Sequence, residues 1–185
     1  SKILTIDYET SDSRVNFGQV LQAGIVISDD KLNIQSRHEL RCRLKPTVIP
    51  SIGACLVHKI PVNILKNSNK SHYEMVLEHY NLIKDNTPSV VMGFNQVAFD
   101  IEFYRRMLYK SLIPDVYQTN TNGNRHLDIL NVSRAAKFAD NDSIQTILNE
   151  KNRHSFKLAD LSTANKINNG TSHDAITDCL NSIDL

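Results

Sequence analysis

Two carboxylates stand two residues apart where a largely apolar stretch ends near the start of the chain. Asp7 and Glu9 follow residues 3–6, whose composition favours a buried strand. Side chains at positions i and i+2 of a strand share a face, so both carboxylates project together and Tyr8 faces the other way. Like charges repel unless a cation lies between them, and hard divalent cations take oxygen ligands. A solvated strand end would carry the same pair, so the pair alone leaves metal binding open.

A third carboxylate follows a second apolar stretch. Residues 89–94 predict a short strand, and the next helix is predicted over about residues 98–109. Asp100 then falls in the first helical turn, at a strand-to-helix junction. An acid there also favours the helix dipole, so Asp100 alone is equally consistent with a simple structural role.

A histidine and a fourth acid lie near the end of the chain. His173 and Asp178 are five residues apart, which separates them by about 140° on one continuous helix. They can serve one site if His173 lies in the loop before the helix. Ser172 is then the expected N-cap of a helix over residues 172–183, with Asp174 as an acid of its first turn.

Together these residues indicate one kind of chemistry. Four carboxylates can hold two Mg²⁺ or Mn²⁺ ions, which clamp both oxygens of an in-line phosphoryl displacement. A histidine such as His173 can take the proton of the attacking water near neutral pH. The predicted metal ligands are Asp7, Glu9, Asp100 and Asp178.

The elements that must position these residues favour an α/β class, because strands come first and helices alternate with strands later. The first three strands are expected to be antiparallel and the later ones parallel, in a mixed central sheet flanked by helices. The proline- and glycine-containing residues 45–61 are predicted to be a loop. The predicted strands are 2–8, 19–28, 32–44 and 89–94, and the predicted helices cover about 73–83, 98–109, 156–166 and 172–183. Residues 127–138 are predicted to be the end of a strand followed by a helix.

Composition sets limits on the function. The 185 residues, 41% of them hydrophobic, are expected to form one domain over residues 1–185. A net charge of +1 gives no overall attraction to nucleic acid or membrane, although one predicted helix has a basic face that either follows a phosphate backbone or only meets solvent. No apolar run is long enough to span a membrane. The three cysteines lack zinc or disulfide spacing, which is typical of the cytoplasm. The basic face comprises Arg105, Arg106 and Lys110.

The order Asp-x-Glu, Asn-x4-Asp and His-x4-Asp resembles the DEDDh 3′→5′ exonucleases, also called DnaQ-like, with a ribonuclease-H-like fold. The chain is most similar to the exonuclease domain of bacterial exodeoxyribonuclease I. That branch shares several further motifs along essentially the whole chain. They are Asp7-Tyr8-Glu9-Thr10, Gly93-Phe94-Asn95-Gln96-Val97-x-Phe99-Asp100, Arg125-x-Leu127-Asp128-Ile129-Leu130, Ser155-Phe156-Lys157-Leu158-x-x-Leu161, Ala164-Asn165-Lys166-Ile167 and His173-Asp174-Ala175.

The resemblance implies a two-metal exonuclease that hydrolyses single-stranded DNA from its 3′ ends to nucleoside 5′-monophosphates, in the setting of DNA repair. His173 is the implied general base, and Asp7, Glu9, Asp100 and Asp178 are the implied ligands of two Mg²⁺ or Mn²⁺ ions. Five further residues are implied in substrate binding. Thr10 matches a position near the 3′-hydroxyl, Leu56 or His58 could pack on the terminal base, Asn95 fixes the backbone beside Asp100, and Arg125 could touch phosphate.

Three readings stay open beside this one. An exoribonuclease (an oligoribonuclease, for example) or a proofreading exonuclease would share the fold, and a binding or assembly module could keep it without catalysis. Full-length enzymes of the branch carry further domains after this one. The chain is therefore expected to be either an excised catalytic domain or a short stand-alone form, and no protein partner is predicted.

Overall fold

A mixed sheet forms the centre of the computed structural model, which describes residues 2–170 and 173–185. The strand order across these residues is β3-β2-β1-β4-β5, with β1, β2 and β3 antiparallel to one another and β4 and β5 parallel to β1. This confirms the predicted α/β class and mixed sheet. The strands are β1 (Lys2–Thr10), β2 (Val20–Ser28), β3 (Ile34–Arg41), β4 (Ser89–Gly93) and β5 (Arg125–Asp128).

Helices cover both faces of this sheet. Their bounds are α1 (Ile52–His58), α2 (Val62–Asn67), α3 (His72–Asp85), α4 (Asp100–Lys110), α5 (Ile129–Ala139), α6 (Leu158–Ala164) and α7 (Ala175–Asp184). A short 3₁₀ helix, Gln118–Asn120, precedes β5. No helix within the described ranges is both long and apolar enough to cross a membrane.

The core lies on the face of the sheet that α3 and α4 cover. Alternate residues of β1, namely Leu4, Ile6 and Tyr8, pack there with the buried residues of both helices. The intervening residues of β1 face α7, which packs on β1 and β2 through Cys179 and Leu180. The period-2 pattern of the strand therefore assigns one of its faces to the core and the other to the α7 side.

The predicted loop over residues 45–61 is wrong in part, because it contains α1. The Ser51 hydroxyl caps this helix by accepting a hydrogen bond from the Ala54 amide, at 3.2 Å. Pro50 immediately precedes this cap, and Pro61 occupies the N-cap position of α2. Proline is tolerated at helix starts, so these prolines mark boundaries of short helices here.

The start of the last helix also differs from the prediction. Asp174 is the N-cap of α7, and its carboxylate accepts a hydrogen bond from the Thr177 amide at 3.1 Å. The predicted N-cap, Ser172, lies outside the described residues. Aspartate caps helices as well as serine does, so Asp174, predicted to be an acid of the first turn, serves as the cap instead.

Candidate active site

Strand β1 delivers two carboxylates to one edge of the sheet. Asp7 pairs with Gly24 and Tyr8 with Ala23 in the antiparallel ladder, so Asp7 and Glu9 share the face toward α7. Tyr8 points to the core, where its hydroxyl lies 2.6 Å from Nε2 of His79. The alternation of the strand thus separates the acidic pair from the packed core.

Asp100 reaches the same edge from the connection between β4 and α4. It is the first residue of α4, is 3% exposed, and its Oδ1 has no hydrogen-bond partner among the described residues. The connection itself is held by Asp128, which accepts hydrogen bonds from the amides of Asn95, at 2.9 Å, and Val97, at 3.2 Å. A fixed backbone therefore presents a buried carboxylate oxygen that the protein does not satisfy.

The remaining acid and the histidine come from the start of α7. Asp178 lies in the first turn, and its Oδ2 accepts a hydrogen bond from the His173 amide at 3.1 Å. His173 precedes the helix in a left-handed conformation, with φ of 65°. Gln22 of β2 donates to the N-cap carboxylate of Asp174 at 3.1 Å. This bond ties the helix start to the sheet and so fixes the backbone that carries His173.

These residues converge in one open cleft of about 460 Å³. A ligand atom from each of Glu9, His173 and Asp178 lies within 4.8 Å of the others, which is close enough to share one metal ion. The lining of the cleft comprises Asp7, Tyr8, Glu9, Thr10, Ser13, Ser51, Gly53, Ala54, Val57, His58, Phe94, Asn95, Phe99, Asp100, His173 and Asp178. The structure therefore brings all five predicted catalytic residues together.

Burial raises the pKa of every acid in this group, and repulsion from a neighbouring acid adds to each rise. Burial, then the charges of Asp100 and Asp178, raises the pKa of Asp7 well above its ordinary value. Burial first and Asp178 second raise the pKa of Glu9 to about 8. Burial raises the pKa of Asp100 to about 8 even though backbone hydrogen bonds from Asp100 and Tyr8 oppose it, and burial also raises the pKa of Asp178. The charge of His173 opposes the rise at Asp178, whereas no positive side chain is among the causes for Asp7, Glu9 or Asp100.

The donor set fits a divalent cation. Among the described residues that line the cleft there is no lysine or arginine to neutralise the acids. The buried Oδ1 of Asp100 has no protein partner, and Glu9 and Asp178 present further carboxylate oxygens beside His173. Oxygen-rich sites of this kind select hard cations. An acidic cluster able to hold a metal ion is therefore present in the described part of the chain.

The residues predicted to bind substrate divide into two groups. Thr10, His58 and Asn95 line the cleft. Leu56 is 70% exposed and does not line it, because α1 turns the neighbouring Val57 toward the cleft instead. The expected contact of Leu56 with a terminal base is therefore not supported by its position.

Arg125 lies away from the cleft. It opens β5 and pairs with Val90, whereas Asp128, at the other end of the same strand, pairs with Gly93 beside the site. Because β4 and β5 are parallel, Arg125 lies near the amino-terminal ends of these strands, whereas the acids lie near the carboxyl ends of the sheet's parallel strands. The expected contact of Arg125 with phosphate at this site is not supported.

Several lining residues were not predicted from the sequence. Phe94 and Phe99 form an apolar wall of the cleft, and Ser13 and Ser51 add hydroxyls to its rim. Both phenylalanines lie inside the Gly93–Asp100 motif, so their position beside Asp100 was available as a signal. Ser51 was not predicted to line the site, because the prolines around it led to the prediction of a loop where α1 lies.

Comparison with known proteins gives matches along almost the whole chain. Exodeoxyribonuclease I of Buchnera aphidicola subsp. Acyrthosiphon pisum is 27% identical over 183 residues, which cover 98% of this chain and 44% of that protein. Exodeoxyribonuclease I of Escherichia coli is 25% identical over 179 residues, covering 96% of this chain and 38% of that protein. The chain thus spans less than half the length of these relatives. No protein-family model matches the chain.

Solved structures give the same result. A crystal structure of E. coli exonuclease I in complex with a dT13 oligonucleotide superposes with a TM-score of 0.93 at 25% identity, covering all of this chain and 40% of that one. A zinc-bound complex of the same enzyme with single-stranded DNA gives a TM-score of 0.91 at 25% identity, covering all of this chain and 39% of the other. These matches confirm the predicted ribonuclease-H-like exonuclease fold and the resemblance to the exodeoxyribonuclease I branch.

Proposed function

We propose that this chain is a metal-dependent 3′→5′ exodeoxyribonuclease domain that acts on the 3′ ends of single-stranded DNA and releases nucleoside 5′-monophosphates. The observation that carries this proposal is the convergence of four acids and one histidine in a single open cleft whose described lining includes no lysine or arginine. Similarity to exodeoxyribonuclease I over 98% of the chain supports the choice of substrate. We assign the activity to the unit formed by residues 1–185.

Four carboxylates would hold two divalent cations, Mg²⁺ or Mn²⁺. The raised pKa values of Asp7, Glu9 and Asp100 mean that these acids favour their neutral form unless positive charge is supplied. When bound, divalent cations supply that charge, polarise the phosphodiester and make water a nucleophile at neutral pH. The proposed ligands are Asp7, Glu9, Asp100 and Asp178.

His173 is the proposed general base. Its backbone amide donates to Asp178, so the imidazole stays at the edge of the acidic cluster, within 4.8 Å of ligand oxygens of Glu9 and Asp178. A ring nitrogen there can accept the proton of the attacking water. Because the side chain is exposed, the proton can then pass to solvent and the neutral imidazole is restored.

The rest of the cleft suits the end of a nucleotide strand. Val57 and Phe99 offer apolar surface against which a terminal base can pack, since every base has a π-face. Thr10 and Ser51 also line this cleft with their hydroxyl-bearing side chains. We assign the apolar surface of Val57 and Phe99 to the base and the hydroxyls to the sugar and its 3′-hydroxyl.

We place the activity in the cytoplasm. Cys42, Cys55 and Cys179 are free thiols in the structure, and two of them are buried. A chain that keeps its thiols reduced is typical of that compartment.

Digestion of end-labelled strands tests the proposal. With Mg²⁺, we expect 5′-labelled single-stranded DNA to shorten progressively from its 3′ end, and 3′-labelled DNA to release its label at once as a mononucleotide. EDTA should stop both reactions, and RNA of the same sequence should be cleaved more slowly. Activity that survives EDTA, or internal cleavage products from circular single-stranded DNA, would contradict the proposal. Faster cleavage of RNA would replace the substrate with RNA.

A further inference from the structure

A second cavity, of about 50 Å³, lies beside α4 and is lined by basic residues. We call it the basic cavity and define it by Lys45, His72, Arg106 and Lys110, which line it together with apolar side chains such as Val15 and Met107. Its volume accommodates more than one water molecule. No acid lines it among the described residues, so the positive charge there is not neutralised within the cavity.

Burial and neighbouring cations both lower the pKa of two groups that line the basic cavity. Burial, then the charges of Lys45 and Arg106, lowers the pKa of Lys110. Burial, then Lys45 and Lys110, lowers the pKa of His72 to about 4. No carboxylate is among the causes of either shift. An anion bound here would meet cations and, among the described lining residues, no opposing carboxylate.

His72, which lines the cavity, carries a buried polar atom without a partner among the residues described. It is the first residue of α3, is only 6% exposed, and its Nδ1 has no hydrogen-bond partner in the described part of the chain. The neutral imidazole carries one N–H donor. The positive end of the α3 dipole lies at the same place. Donors and positive charge therefore dominate the cavity, which suits an anion that accepts hydrogen bonds.

The basic cavity and the catalytic cleft share a rim. Residues 11–18 and 45–51 run between them, joined by a hydrogen bond from the Ser51 amide to the Ser11 carbonyl at 2.7 Å. Ser13 and Ser51 line the cleft, whereas Val15 and Val48 line the basic cavity. Along α4, Arg106 and Lys110 follow Asp100 by six and ten residues, or about 9 and 15 Å of helix. A strand leaving the cleft along this rim reaches the basic cavity.

We propose that the basic cavity binds a phosphate group, and that this group belongs to the backbone of the strand whose 3′ end occupies the cleft. The assignment to a strand rests on the proposed function, whereas phosphate binding does not. Arg106 presents a planar guanidinium that can grip two phosphate oxygens, and Lys45 and Lys110 add point charges. Sequence preference is not expected, because a backbone phosphate is common to all nucleotides.

Titration with inorganic phosphate tests the site itself. In amide-resolved NMR spectra of the whole chain in EDTA, we expect saturable shifts at His72, Arg106 and Lys110. The double variant Arg106→Gln/Lys110→Gln should lose them, whereas Arg37→Gln, which removes one exposed cation from β3, should keep them. Absence of saturable shifts in the native chain, or equal shifts in the double variant, would overturn the proposal.

Binding of a labelled single-stranded oligonucleotide of about 15 nucleotides, measured by fluorescence anisotropy in EDTA, identifies the source of the phosphate. We expect the double variant to bind about tenfold more weakly than the native chain and the logarithmic salt dependence to fall by about 1 to 2. Arg37→Gln should bind as the native chain does. If the native chain shows phosphate-induced shifts but the double variant binds the oligonucleotide as tightly as the native chain, the cavity would be assigned to free phosphate. That result would overturn the strand assignment. If the double variant loses phosphate binding but keeps its nuclease activity, the two proposals are shown to be independent of each other.

Discussion

The two faces of β1 bury polar groups in opposite ways. On the core face, Tyr8 is 5% exposed and its hydroxyl meets Nε2 of His79 at 2.6 Å, so this hydroxyl has a partner, although Nδ1 of His79 has none among the described residues. On the face toward α7, Asp7 and Glu9 meet other acids, and burial and repulsion raise the pKa of both. Neighbouring residues of β1 therefore differ. The Tyr8 hydroxyl has a hydrogen-bond partner, whereas the carboxylates of Asp7 and Glu9 on either side of it face other acids.

This difference indicates that the core face of β1 contributes to stability and that the face toward α7 forms the candidate site. Buried polar groups normally find partners, because an unpaired one costs roughly 1–3 kcal/mol. The Tyr8 hydroxyl follows that rule through Nε2 of His79, and this contact contributes to stability. Asp7 and Glu9 break it, together with Asp100, whose Oδ1 also lacks a partner among the described residues. The cost is concentrated where a cation would offset it, so changes on the two faces should separate stability from activity.

Asp7→Asn gives the largest expected effect, on the acidic face. Removal of one proposed ligand should lower the hydrolysis rate by about 10³-fold or more, because metal ions contribute several kcal/mol to such reactions. The unfolding temperature in EDTA should rise by about 2–4 °C, since repulsion is relieved. Rate assays and thermal unfolding measure the two effects. Asp12→Asn is the matched control and should lower stability instead, because the Asp12 carboxylate is satisfied by Arg14 at 2.7–3.0 Å.

His173→Ala tests the acidic face at its edge. Loss of a general base should slow hydrolysis by about 10²–10⁴-fold and flatten the acid side of the pH–rate profile. Stability should change little, because the side chain is exposed. His38→Ala, on β3 outside the cleft, should retain both rate and profile. A native rate at neutral pH in His173→Ala would remove this residue as the base.

The core face should respond to acid through His79. Burial lowers its pKa to about 4, so between pH 6.5 and about 4 the unfolded chain binds a proton that the folded chain does not. Stability is therefore present above pH 6.5 and is lost as the pH falls, by about 2 kcal/mol between pH 7 and pH 5 for this residue. Urea denaturation at both pH values measures the loss.

The variant His79→Gln provides the comparison for this pH effect. It cannot titrate in that range, so its stability should fall less than that of the native chain over the same interval. An equal fall in both proteins would show that other groups, such as His72, whose pKa is also about 4, account for the acid sensitivity.

Tyr8→Phe gives the smallest expected effect and tests the separation most directly. The variant removes the hydroxyl that His79 contacts and should lower the free energy of unfolding by about 1–2 kcal/mol. The backbone of β1 is unchanged, so Asp7 and Glu9 should keep their places and the hydrolysis rate should stay close to native. A rate loss as large as that of His173→Ala would break the distinction between the two faces.

The sequence predicted the sheet well because its strands carry strong local signals. Val- and Ile-rich runs mark β1, β2 and β4, and the Ser71–Glu74 capping box marks α3 and is present with both hydrogen bonds. The seven-residue helix α1 was missed. Its apolar periodicity is too short to outweigh the prolines around it, which favour a loop. Long-range packing decides such elements, and no local pattern reports it.

The site could be predicted in part for a related reason. Asp7 and Glu9 share a face by the pleat alone, and the ordered motifs gave Asp100, His173 and Asp178 as their companions. Arg125, expected to touch phosphate, lies away from the cleft, because nothing in a single sequence tells which end of a short strand lies near the site. Leu56 lies outside the cleft lining for a similar reason, since the face that α1 turns inward depends on how the helix packs.

The close contact between β2 and α7 limits how this chain can vary. A Cβ at Gly24 would lie 2.5 Å from the carbonyl of Ala175, which is the first residue of α7. Any other residue at this position must push α7 outward, and His173 and Asp178 would move with it. Gly24 contacts no substrate, yet it controls how closely α7 brings His173 and Asp178 to the acids of β1. Substitutions at Gly24 should therefore reduce the hydrolysis rate more than its position within a strand would suggest.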